Sequence, residues 1–242
     1  MKKAAVAAGV LALLAAGAIF WAYYSLDFIV KVVLEHYGPD VIGAPVSVAS
    51  VHISTDTGEG RLSGVEIGSP SGFTAPRSAK LGEIRVLLDP ATITEPVVSI
   101  REVSVDSPLI TYERGKGGGN LEAIQRHIQG YVNDSGGKSA ARTESSPARG
   151  ARRFVVGRIS IRGARVTMTN PALKGQGIAF DLPDVVLRDV GKRENGLRAS
   201  EIADIVAREL LSKIAQRVLS NIDLLRKGGV EGAVDALKGL FK

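Results

Sequence analysis

From Ala4 to Tyr24 the chain carries no charged residue, and about twenty such residues form a helix long enough to cross the roughly 30 Å hydrocarbon of a bilayer. A run of this kind has to be withdrawn from water before anything else folds. Lys2 and Lys3 precede it and no basic cluster follows closely, so the positive-inside bias keeps the short N-terminus cytoplasmic and sends the remainder across. Trp21, Tyr23 and Tyr24 stand at the far end, where amphipathic rings settle at headgroup level. Ala16-Gly17-Ala18 offers a signal-peptidase site. Cleavage there would leave an apolar Ile19-Phe20-Trp21 start, so an uncleaved anchor fits better. Phe28, Ile29, Val32, Val33 and His36 continue at helical spacing, and the helix is expected to stop at Gly38-Pro39.

With 242 residues, the anchor set aside, the chain has room for one modest domain. It contains no cysteine, which excludes disulfides, thiolate metal sites and cysteine nucleophiles. The net charge of +6 is unevenly spread: Lys138, Arg142, Arg149, Arg152, Arg153, Arg158, Arg162 and Arg165 crowd one region in which Glu144 is the only acid. Stacking aromatics are nearly absent there, with Phe154 alone nearby, and the expected orientation lies outside the cytoplasm, so nucleic acid is not the expected partner. Anionic headgroups or glycolipid phosphates fit the cluster, as does a solvated linker with arginines on the outer face of a strand.

After Pro39 the helical spacing gives way to alternation. Val46 and Val48, then Val51 and Ile53, stand two apart with one phase slip, which reads as a strand carrying a bulge or bend. Leu62, Val65 and Ile67 suggest a second strand entered from a turn at residues 55–60, and a third runs near Leu81 to Leu88. Val98, Ile100, Val103, Val105, Ile110 and Tyr112 give two more, broken where Pro108 removes a ladder donor. Asn120 is placed to cap a short helix with Leu121, Ile124, Ile128 and Tyr131 on one face. From Asn133 to Arg149 small and basic residues lack apolar periodicity, the pattern of a flexible linker.

Strand spacing resumes at Phe154, and a weak internal repeat spans the linker. Ile100, Val103, Val105, Ile110 and Tyr112 match Val156, Ile159, Ile161, Val166 and Met168 at one constant offset. Ile178, Phe180 and Leu182 alternate, and Val185 to Leu187 completes a last strand after Pro183. Ser200 is the expected cap of a long helix whose stripe is Ile202, Ile205, Val206, Leu210, Ile214, Val218 and Ile222. Gly228-Gly229 ends it, and Val230 to Phe241 fits a second amphipathic helix. The expected fold is therefore mainly β: an N-terminal transmembrane helix, a twisted antiparallel-rich sheet built from weak repeats as a half-barrel or groove, and C-terminal amphipathic helices. The segments are 1–38 for the transmembrane anchor and juxtamembrane helix, 39–132 for the first β-domain with its short helix, 133–152 for the flexible basic linker, 153–190 for the second part of the sheet and 199–242 for the amphipathic helices.

Signals for chemistry are weak. Gly136-Gly137-Lys138-Ser139 imitates the end of a phosphate-binding loop, but the earlier glycine that motif requires falls on Val132. Gly68-Ser69-Pro70-Ser71-Gly72 has proline where a nucleophile elbow needs serine. His36, His52 and His127 are far apart, with no second histidine at metal spacing and no H-E-x-x-H, and Asn133-Asp134-Ser135 is a glycosylation sequon, which means little if the host is bacterial. No catalytic residue, metal site or cofactor is expected, and the chain does not read as an enzyme.

Leu62-Ser63-Gly64-Val65-Glu66-Ile67-Gly68-Ser69-Pro70-Ser71-Gly72-Phe73 resembles the "l-x-g-l-x-I-x-N-P-x-G-F" segment of AsmA-like envelope proteins, with Ser69 in place of the asparagine. Residues 81–93, the run from Val98 to Glu113 and the pair Asn120-Leu121 are similar to further segments of that family in the same order. The resemblance covers about Ala4 to Tyr131 and implies a short, inner-membrane-anchored, single-pass bacterial protein with a periplasmic domain that binds or helps transfer phospholipid or another envelope lipid. On that reading the lipid-facing apolar wall is Val65, Ile67, Val86, Leu88, Ile100, Val103, Val105, Ile110 and Tyr112. Arg152, Arg153 and Arg158 are then the headgroup contacts. Two readings of the sheet stay open: its apolar face takes an acyl chain, or the C-terminal helices cover it and the protein is a scaffold that docks onto an envelope complex.

Overall fold

The structure, a computed structural model, describes residues 26–115, 117–138, 152–169 and 178–227. The Ala4–Tyr24 run, the 139–151 part of the expected linker and the expected helix from Val230 to Phe241 lie outside these residues. Among the described residues no helix is long and apolar enough to cross a membrane.

The chain is mainly β. Among the described residues ten strands, β1 (Val46–Ser54), β2 (Glu59–Gly68), β3 (Arg77–Leu88), β4 (Val97–Asp106), β5 (Leu109–Gly115), β6 (Gly118–Gly119), β7 (Arg153–Arg162), β8 (Arg165–Thr169), β9 (Ile178–Asp181) and β10 (Val185–Val190), join in one open mixed sheet. Short strands succeed one another along common lines. β4 and β5 both pair with β3, β7 and β8 lie beside β4 and β5, and β10 and β9 lie beside β7 and β8. Aside from the two-residue β6, the sheet is therefore six bent ribbons side by side.

The bends share a cause that is visible in the side-chain spacing. A flat strand alternates sides every residue, so apolar residues three apart would fall on opposite faces. Here Val48 and Val51, Leu62 and Val65, and Leu81 and Ile84 all pack in one core cluster. The ladder skips a pair between each of them, at Ala49 opposite Gly64 and at Gly64 opposite Gly82. Gly64 has φ +61°, and a Cβ there would sit 2.8 Å from the Ala49 Cβ, so only glycine permits the kink. The same crease continues through Ser107 (φ +50°) with Pro108, and through Gly163 (φ +61°) with Ala164. It ends at Leu182-Pro183-Asp184 between β9 and β10. Across the crease Ser107 donates its N–H to Arg162, and Arg165 donates to Pro108. The sheet is thus creased rather than curled, and the expected half-barrel is not formed.

The internal repeat is a pairing register. β4 with β7 and β5 with β8 are parallel, and every partner pair keeps the repeat offset: Ile100 faces Val156, Val103 faces Ile159, Val105 faces Ile161, Ile110 faces Val166 and Tyr112 faces Met168. Arg162 bonds Asp106, 56 residues earlier, across the same register. Parallel neighbours need a crossover connection, and helix α2 (Asn120–Lys138) supplies it.

Among the described residues three helices cover the apolar face. α1 (26–42) places Val30 and Leu34 on the cluster of Val48, Val51 and Val65. It also closes the outer edge of β1, which among the described residues pairs only with β2. Asp27 accepts from the Ile53 N–H at 2.8 Å, Glu35 accepts from the Val48 N–H at 2.9 Å, and Lys31 Nζ donates to the Ala49 carbonyl at 3.2 Å. Three residues spaced by four thus satisfy backbone groups that an edge strand would otherwise offer to another chain. α3 (Ala199–Lys227) packs Ile202, Ile205 and Val206 over Val156, Ile159 and Val190, and Ile214 and Val218 into the cluster of Tyr112, Val166 and Met168.

Three helix boundaries differ from expectation. α1 does not stop at Gly38-Pro39 but runs to residue 42. Gly38 lacks the Cβ that would crowd Val46, which lets the helix lie against β1, and Gly43 at φ +74° provides the left-handed cap, its N–H reaching the Pro39 carbonyl. α2 continues through 133–138 into the expected linker, passing Gly136 and Gly137, and Tyr131 stays exposed at 38 %. α3 is capped two residues before Ser200. The Ile202 N–H bonds the Arg198 carbonyl, and the Glu201 carboxylate reaches back to the Arg198 N–H at 2.7 Å as a capping box does. The same carboxylate holds the Arg198 guanidinium at 2.9 Å, and this bond keeps the Glu201 pKa below its usual value.

Candidate functional site

Between the creased sheet and its helices lies a partly open cavity of about 300 Å³, within the lower range of small-ligand sites, roughly 300–1,000 Å³. Its sheet wall is Ile67, Ala79, Leu81, Val105, Ile110 and Ile161. Leu121, Ile124 and Ile128 of α2 form one side, and Ala203, Val206, Ala207, Leu210 and Leu211 of α3 form the roof, with Ile42 at the end of α1. Small residues contribute to both walls: Ser78 and Ala79 on the sheet, Ala203 and Ala207 on the helix. Longer side chains would reach across.

Among the described residues Ser78 is the one polar side chain in the lining, and its hydroxyl is already engaged. Asn120 Nδ2 donates to Ser78 Oγ at 2.9 Å, and Ser69 Oγ lies 3.3 Å away. Asn120, fully buried, also donates to the Thr111 carbonyl at 2.8 Å and accepts from the Glu113 N–H at 2.9 Å. Beside it Glu113, 1 % exposed, accepts from the Thr74 N–H and hydroxyl and from the Ala75 N–H. Burial pushes the Glu113 carboxyl up, but the bonds from Ala75 and Thr74 outweigh it and hold the pKa below its ordinary value. The Gly68–Phe73 turn and the Asn120-Leu121 pair, far apart in sequence, are thereby tied together at one end of the cavity.

Of the expected apolar wall, Ile67, Val105 and Ile110 line this cavity. Val65 lies under α1, and Ile100 and Val103 lie under Ile202, Ile205 and Val206. Val86 and Leu88 are half-buried and outside the lining. Tyr112 is a core residue, 1 % exposed, whose hydroxyl donates to Glu122 Oε1 at 2.7 Å. Burial first and the Glu122 bond second push its phenol well above the ordinary value, so it is a neutral donor. Arg152, Arg153 and Arg158 are exposed and do not line the cavity. Arg158 sits on a strand beside Arg188 of β10 and Glu102 of β4. The helix side of the cavity went unread in the sequence. Its signal was the Ala203–Ala207 pair, small residues one turn apart beside a stripe of large ones.

A second hollow of about 320 Å³ lies on the opposite, polar face, lined by Glu59, Arg85, Leu87, Glu102, Ser104 and Arg162. Its arginines are matched to acids: Arg85 to Glu59 and Glu83, Arg162 to Asp106. Among the described residues no three His, Cys, Asp or Glu side chains gather as a metal site. His52 lies 3.6 Å from Asp27, His127 bonds the Asp40 carbonyl, and His36 packs edge-on against Tyr37. Gly136, Gly137 and Lys138 lie in the last turn of α2, not in a loop before a helix, so no phosphate cradle forms there. In comparisons with known proteins, no family model and no curated protein matches the chain.

Proposed function

We propose that this is a membrane-anchored, AsmA-like bacterial envelope protein whose periplasmic domain holds an acyl chain of a phospholipid or similar envelope lipid. The observation that carries the reading is the cavity: about 300 Å³, lined by apolar side chains apart from Ser78, and with small residues on both sheet and helix. The cavity is partly open, and its apolar walls offer water few of the two to four polar partners it needs. An acyl chain that covers those walls gains about 25 cal/mol per Å² of apolar surface withdrawn from water.

The lipid is held between sheet and helices, not on a bare groove. Six ribbons at roughly 4.8 Å each span under about 30 Å, less than a bridge between two membranes demands, so transfer takes place next to the protein's own membrane or through an assembly. The scaffold alternative draws little support from the strand edges. α1 satisfies the β1 edge, and the β9–β10 edge is interrupted by Pro183 and by Asp189 at φ +52°. Native mass spectrometry of the full chain released gently from detergent tests the reading. Stoichiometric lipid retained at low collision energy is expected; a folded, lipid-free protein contradicts it.

A further inference from the structure

The exposed large apolar side chains of the described residues concentrate on α1: Phe28 at 67 %, Ile29 at 48 %, Val32 at 43 %, Val33 at 46 % and Tyr37 at 58 %. They fall in pairs four residues apart, so they form one stripe on the face opposite Val30 and Leu34. Every charge between residues 27 and 37 is on the other side, where Asp27, Lys31 and Glu35 are bound to the β1 edge. The outward face carries no charge until Asp40 in the last turn. A surface helix in water does the reverse, facing its charges outward and its apolar stripe toward the core.

We infer that α1 lies in the headgroup–acyl boundary of the bilayer with this stripe facing the lipid, and so holds the β1 side of the domain flat against the membrane. This inference rests on the membrane-anchor reading. The charge-free run ends at Tyr24, two residues before the described helix begins, so the stripe enters the structure already at the depth of the anchor's aromatic end. A helix of this kind buries its apolar face about 5–10 Å into the boundary layer. Its His36 and Tyr37 rings, packed edge-on, suit the same layer. α1 also supplies Ile42 to the cavity wall, so a flat α1 places the cavity beside the leaflet from which an acyl chain would come.

The test uses the full chain in vesicles of phosphatidylethanolamine and phosphatidylglycerol. The protein has no native cysteine, so single cysteines at Val32, Val33 and, as a control, Arg188 accept an environment-sensitive fluorophore. Vesicle flotation is scored first, and circular dichroism checks each variant's fold. Labels at 32 and 33 are expected to be quenched strongly by lipids carrying a spin label near the headgroup, less by lipids labelled mid-chain, and little by aqueous iodide, while the label at 188 shows the opposite. Failure to float overturns both the anchor reading and the inference. Flotation with iodide-accessible labels at 32 and 33 overturns the inference alone. So does protection from iodide without lipid quenching, the outcome for a stripe covered by a second copy, and so does quenching greatest mid-chain, the outcome for a helix that spans.

Discussion

Replacing Ala207 with phenylalanine pushes a ring from the roof of the cavity into the space an acyl chain would occupy. If the cavity is a real space, burying the ring gains about 1.5–3 kcal/mol, set against about 0.5–1 kcal/mol of rotamer entropy and a few tenths of a kcal/mol of helix propensity. The net gain of about 1 kcal/mol corresponds to a rise of about 2–4 °C in the Tm of the delipidated protein. The same substitution removes the binding space, so phospholipid per protein after detergent extraction falls at least tenfold. Circular dichroism melts and lipid phosphate measured on the same preparations read both effects, and Ala203→Leu, one turn earlier, repeats the test with a smaller group. A raised Tm with unchanged lipid content would place the lipid elsewhere. A lowered Tm in both variants would mean that the walls already touch and there is no space to fill.

Three other substitutions probe the frame around the cavity. Glu113→Gln replaces a buried acceptor of three hydrogen bonds with a group that carries its own donors, and costs about 2–3 kcal/mol at neutral pH. Because the Glu113 pKa is depressed in the folded state, its contribution is complete above its unfolded value, near 4.5, and is lost as pH falls through the folded value. Urea midpoints of wild type and variant therefore converge in acid, and a gap that stays constant would refute the assignment. Gly64→Val forces a β-branched residue to φ +61° against Ala49, and is expected to cost about 1–3 kcal/mol; a neutral effect would mean that the crease does not depend on this glycine. Glu35→Ala frees the Val48 N–H on the β1 edge and should raise concentration-dependent association seen by light scattering. Unchanged association would show that the edge is protected by other means.

Much of the sheet was legible because strand physics leaves a two-residue signature. The slip between Val48 and Val51 read as a bend, Pro108 read as a break, and the match of residues 100–112 to 156–168 was visible before its meaning as a parallel register. What the spacing could not show is that the slips align across neighbouring strands, since alignment depends on pairing rather than on any one segment. Helix ends were less legible. Pro39 suggests a stop, yet the contact of Gly38 with Val46 and the cap at Gly43 carry the helix one turn further, and Glu201 rather than Ser200 completes the cap of α3. The candidate site was half legible: Ile67, Val105 and Ile110 follow from strand alternation, whereas Ala203 and Ala207 matter for what they fail to fill. A void has no sequence signature until both of its walls are known. Tyr112 lies in the core rather than in the cavity lining, and its hydroxyl finds Glu122, a pairing that strand alternation does not reveal.

The most direct test of a lipid held between sheet and helices is photocrosslinking with a phospholipid whose acyl chain carries a diazirine, followed by peptide mapping of the full-length protein. Adducts on residues 121–128 of α2 and 203–211 of α3, lost in Ala207→Phe, are the expected result. Adducts confined to α1 or the outer sheet face, or adducts in the cavity peptides that persist in Ala207→Phe, would contradict it.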